Sequence, residues 1–166
     1  MVRNDVDEGV DEIKLLQSVI HELQRLYDNV ATSFAGLRSR ALALLGGEIA
    51  VASFLFGTDY SFKNLNVIDD LVFLFAGILL LLIALILLLM ILQPTAWNCP
   101  PDTKDTNNLK ERFDNSELLF LRYIKSEYEE AIEDIVRVTN LRSSLLTWAL
   151  RSLSIGILIL LVLKYL

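Results

Sequence analysis

Leu71 to Leu92, "LVFLFAGILLLLIALILLLMIL", is a run of 22 residues without a charge. At about 1.5 Å per residue, such a helix spans a hydrocarbon core of about 30 Å with slight tilt. Asp69 and Asp70 precede the run, and Gln93-Pro94 end it. A buried core helix of a soluble protein would not be this long and this apolar. The segment therefore predicts a transmembrane helix and sets the frame for the rest of the chain.

Two further apolar blocks flank it. Residues 41–57 form the first, and 145–164 the third. The first carries Glu48, and the third is interrupted by Arg151 and ends at Lys164. Together the blocks lift the hydrophobic share to 54% over 166 residues, which is high for a soluble domain of this size. The reading is an all-α, helical integral membrane protein with three transmembrane helices. A two-span alternative lays the last block in the interface as an amphipathic anchor. The first forty residues are charged and lack the apolar core of a secretory signal.

Lysine and arginine counts predict the orientation. Arg3, Lys14, Arg25, Arg38 and Arg40 precede the first span. Only Lys63 lies between the first and second. Lys104, Lys110, Arg112, Arg122, Lys125, Arg137 and Arg142 lie between the second and third. Residues 1–40 and 93–144 are thus expected in the cytoplasm, and the loop 58–70 outside. With three spans the C-terminus is also outside, and the expected location is the bacterial inner membrane.

The cytoplasmic stretches carry a second pattern. Ile13, Leu16, Ile20, Leu23, Tyr27, Val30, Phe34, Leu37, Ala41 and Leu44 recur at alternating steps of three and four. That heptad seam runs directly into the first span. Leu121, Ile124, Tyr128, Ala131, Ile135 and Val138 form another, sliding to Leu141, Leu145 and Trp148 as it enters the third. Two long helices are expected to extend into a cytoplasmic helical bundle. A seam needs a partner, either the other helix or a neighbouring copy. Residues 93–116 hold all three prolines and read as a loop, with Asn115 or Ser116 as N-cap of the helix over 117–144.

Catalytic chemistry finds little footing here. His21 is the only histidine and Cys99 the only cysteine, so one chain builds no triad, disulfide or His/Cys metal site. No glycine loop suits a phosphate. No enzyme, metal or cofactor is expected. The net charge of −6 argues against nucleic-acid binding by bulk electrostatics. The acidic run Glu127, Glu129, Glu130, Glu133 and Asp134 reads as a solvated face with pairs such as Lys125–Glu129 and Glu133–Arg137. In a ring of copies it could instead line a cation vestibule. Lys110, Arg112, Arg122 and Lys125 cluster enough to be candidates for an anionic ligand. Gly46-Gly47, inside the first span, is a candidate for close helix packing.

Glu48 and Arg151 are the charges deepest in the predicted spans. Glu48 lies about 12 Å beyond Arg40, and Arg151 about 13–14 Å beyond Arg142. Both helices run outward, so the two opposite charges fall near one level. An isolated charge there costs several kcal/mol. One expectation is an ion pair, within a chain or between neighbours. The other is that Glu48 faces a water-filled path between subunits, with Arg151 snorkelling.

The layout resembles small bacterial membrane effectors of nucleotide-signalling anti-phage systems: the SLATT proteins and the membrane effectors of Pycsar and Hailong systems. The resemblance rests on Arg40-Ala41-Leu42-Ala43-Leu44-Leu45-Gly46 opening the first span, on Leu71–Leu92 with Pro94, and on the long helix Leu118–Leu150. It covers nearly the whole chain. It implies a homo-oligomer that permeabilises or depolarises the inner membrane when a nucleotide or oligonucleotide binds. It also implies a nucleotidyltransferase encoded nearby. The alternative is a non-conducting membrane anchor or assembly subunit that holds a partner protein on the same seams.

Overall fold

The computed structural model describes residues 3–56, 68–97, 99–100, 113 and 116–165, with side chains over 11–56, 71–97, 99–100, 113 and 116–163. Three helices account for almost all of these residues. Helix α1 spans Arg3–Phe56 (54 residues), α2 spans Ile68–Leu92 (25 residues) and α3 spans Glu117–Tyr165 (49 residues). Each is long and apolar enough to cross a membrane. Of the expected loop 58–70, residues 58–67 lie outside the described residues, as do 101–112 and Asn115, while 68–70 belong to α2, which begins three residues before the expected span.

Local sequence explains where the helices begin and end. α2 stops one residue before Gln93-Pro94, where the proline ring bars the next helical hydrogen bond. Ser116 stands immediately before α3, its carbonyl accepting the Phe120 N–H at 3.1 Å. Glu117 follows, placing a carboxylate in the first turn against the positive end of the helix dipole. Neither α1 nor α3 contains a proline.

The contacts divide the chain into two units: residues 1–34 with 95–139, and residues 35–94 with 140–166. In the first unit the two seams meet each other. Ile20, Leu121 and Ile124 are buried, with Ile13, Leu16, Phe120, Tyr123 and Tyr128 packed around them. Gln17 reaches Glu117, and Gln24 reaches the Tyr128 hydroxyl, so the helices run parallel there. An exposed ion pair joins Arg122 to Glu12 at 2.5 Å. It adds under about 1 kcal/mol, so the apolar seam holds this pair of helices together.

The second unit is a three-helix arrangement with two apolar layers. One holds Ala41, Leu88, Ile91 and Ala149, with Leu44, Leu45, Leu87, Leu145 and Leu146 around them. The other holds Leu55, Leu81 and Leu160, with Val51, Leu74, Leu153, Ile157 and Leu161. α1 and α3 climb in parallel through both layers while α2 descends. In a membrane, where lipid is as apolar as leucine, close packing would have to do what water expulsion does elsewhere. Gly77 and Gly156 supply the closest approach. A Cβ on Gly156 would lie 3.2 Å from the Gly77 carbonyl oxygen, and one on Gly77 would lie 2.8 Å from Leu160 Cγ. Around Gly46 and Gly47, by contrast, an added Cβ would meet nothing within 4 Å. Within one chain the close helix contact is therefore made by Gly77 and Gly156 and not by the Gly46-Gly47 pair.

Candidate functional site

The two layers leave an interval, and Glu48 occupies it. On α1 the lower layer ends at Leu45 and the upper begins at Val51. On α2 the corresponding interval holds Ala84, which is fully buried, and on α3 it holds Ser152. Small residues thus stand at the level where the carboxylate turns inward. Glu48 is only 6% exposed, and its Oε2 has no hydrogen-bond partner. α2 offers no counter-charge, because Leu71–Leu92 contains no titratable residue.

Arg151 does not meet Glu48. It is exposed on α3, its guanidinium carbon 5.3 Å from the centre of the Trp148 ring one turn earlier. The reason is helical phase. Ala149 faces the core, and two further residues at about 100° each carry Arg151 to the opposite face. The ion pair expected from depth alone is corrected on this point for a single chain.

A different pair of charges converges at the end of α2. The last carbonyls of a helix lack intrahelical partners and carry the negative end of its dipole. Arg142, on α3 and 6% exposed, donates to the carbonyl oxygens of Ile91 and, at 2.6 Å, of Gln93. Arg38, on α1 and exposed, donates to Leu92 at 3.3 Å. Three consecutive carbonyls therefore take arginines from both other helices. The sequence signal was present: two arginines just before apolar blocks and a helix stopped by proline. Topology counting treated them as orientation marks only.

The proposed anionic-ligand residues are divided. Lys110 and Arg112 lie outside the described residues. Arg122 is engaged with Glu12, and Lys125 with Glu129 at 3.4 Å on the same helix. On the acidic face Arg137 takes Asp134 at 3.2 Å, three residues back, and not Glu133 as the spacing suggested.

The first unit also holds an aromatic group that sequence reading missed. Phe34 meets Trp97 edge-on at 4.8 Å between centroids, and Tyr27 meets Tyr128 at 6.4 Å. The Trp97 indole N–H donates to the Tyr27 hydroxyl at 3.2 Å, and that hydroxyl donates to the Cys99 sulfur at 3.9 Å. Burial holds the Tyr27 phenol above its ordinary value; the Trp97 bond opposes this, and Cys99 adds to it. These contacts tie the chain leaving α2 to α1 and leave Cys99 exposed.

Among the described residues no three His, Cys, Asp or Glu side chains gather to hold a metal ion. Comparison with protein-family models, with curated proteins and with solved structures finds no match.

Proposed function

We propose that the chain is a homo-oligomeric effector of the bacterial inner membrane, opened from the cytoplasmic side by a nucleotide or oligonucleotide signal. Opening would permeabilise or depolarise the membrane as an anti-phage response. The observation that carries this reading is the unbroken course of α1 and α3. Each passes from a charged half with a heptad seam into an apolar half without a proline or a chain reversal. A ligand that repacks the charged halves acts on the same two rods that line the apolar unit. That is the mechanical requirement for coupling a soluble signal to a membrane path. The deeply placed charges Glu48 and Arg151 add to it, since intramembrane charge marks function more often than scaffold.

A second reading has its own support. Glu48 is turned into the chain's own core, which suits a non-conducting anchor or assembly subunit better than a carboxylate lining a lumen. Ion flux separates the two. Purified protein in proteoliposomes should release ions when a cyclic dinucleotide or oligonucleotide is added, and native mass spectrometry should show several copies. A monomer with no flux under any ligand would leave the anchor reading.

A further inference from the structure

Arg142 and Arg38 do unequal work at the end of α2. Arg142 is buried and held by two carbonyls. That contact alone caps the helix. Arg38 lies on the exposed side of the same three carbonyls and makes one long hydrogen bond. A guanidinium has five N–H donors in a planar fork, so most of the donors of Arg38 remain unspent. Its charge also acts unfavourably on Arg142. As a helix cap, the second arginine adds little and costs repulsion.

As an anion site the arrangement makes sense. Guanidinium forks match the oxygens of phosphate bidentately, and Arg142 supplies a fixed second positive charge behind the accessible one. Basic clusters between transmembrane helices at the cytoplasmic end are the places where phosphate head groups lodge. The level fits as well, since α2 ends at Leu92 and this stretch of the apolar unit ends at Pro94. We propose that Arg38, backed by Arg142 at the C-terminal carbonyls of α2, binds a phosphate group. Two sources share that chemistry: the head group of an anionic phospholipid, or the phosphate of a soluble ligand. The inference rests on the proposed orientation, with this end of α2 on the cytoplasmic side. It relocates the anionic site from Lys110, Arg112, Arg122 and Lys125 to the edge of the membrane.

The test uses the full chain in nanodiscs and reads binding apart from flux. Inorganic pyrophosphate is titrated against protein in phosphatidylcholine discs and in discs containing phosphatidylglycerol, with thermal midpoint as the readout. Native mass spectrometry counts retained lipid. A midpoint rise with pyrophosphate in both discs assigns the site to a soluble phosphate. A rise with phosphatidylglycerol that pyrophosphate no longer augments, with lipid retained, assigns it to a head group. In either case Arg38→Gln should weaken binding about tenfold, as expected for loss of one charge-assisted fork. Arg40→Gln, an equal charge change on another face, should leave binding unchanged. Equal losses in the two variants would reduce the effect to general electrostatics and overturn the site. So would the absence of any response to either phosphate source. Flux in the same discs' lipids is measured separately: a channel that never conducts refutes the proposed function without touching the binding result.

Discussion

Gly156 of α3 rests against the backbone of Gly77 on α2, leaving its missing Cβ only 3.2 Å from the Gly77 carbonyl oxygen. The upper part of the three-helix unit depends on that absence. Gly156→Ala should destabilise the unit by about 1–3 kcal/mol, since backbone cannot yield as a side chain can. Gly47→Ala, on an open helix face, should be neutral or gain up to about 1 kcal/mol from helix propensity. Unfolding in detergent with a helicity readout compares the two. A larger loss for Gly47→Ala would place a neighbouring copy against that face.

Glu48 should respond to substitution as a buried group without a partner. Glu48→Leu fills a similar volume and removes an unsatisfied oxygen, so it should stabilise the isolated bundle by about 1–3 kcal/mol. Arg151→Leu should shift stability by no more than about 1 kcal/mol, because its only described contact is the exposed Trp148 face. The exchange of Glu48→Arg with Arg151→Glu should therefore rescue nothing. A rescued double variant would restore the ion pair.

Arg142 should be the most sensitive of the described arginines. Arg142→Ala leaves the Ile91 and Gln93 carbonyls without the donor that closes α2, at a cost of roughly 3 kcal/mol. Arg38→Ala should cost about 1 kcal/mol or less, because it loses one long exposed bond. Equal losses would mean that the two arginines share the cap. Thermal melts of both variants in neutral lipid, without added phosphate, decide it.

The aromatic group predicts an alkaline response. The Tyr27 phenol titrates above its ordinary value in the fold, chiefly through burial. The neutral form is thus favoured by folding. Its stabilisation is complete below the unfolded value of about 10 and is lost as pH climbs through the raised value. Trp97 emission, read in a Trp148→Phe background, should change in that alkaline range. Tyr27→Phe, which cannot ionise, should flatten the change; an unaltered transition would assign it to another group.

What the sequence reveals is set by what each pattern encodes. Charge-free length marks α2, a helix long and apolar enough to cross a membrane. Steps of three and four mark the seams, because one helix face repeats them, and Ile20, Leu121 and Ile124 meet as those steps require. Depth is also countable, which is why Glu48 and Arg151 reached the same level on paper. Phase is not countable across helices. It depends on which face each rod turns to its neighbours, and Arg151 turns away. Gly77 escaped notice for a related reason: one glycine in a leucine run has no visible partner until Gly156 is placed opposite it. Arg38 and Arg142 enter the sequence only as part of a lysine and arginine count, and a count does not say that both side chains reach the last carbonyls of α2.

The separation of Glu48 from Arg151 has an electrical consequence. A salt bridge moves through a transmembrane field as a neutral body and is indifferent to voltage. Two opposite charges on different helix faces are not bound to move together. Carrying one elementary charge across the whole field is worth about 2.3 kcal/mol per 100 mV. In the proposed membrane-spanning arrangement, a rearrangement that shifts α3 against α1 would move Arg151 without Glu48, and the membrane potential would then act on that movement.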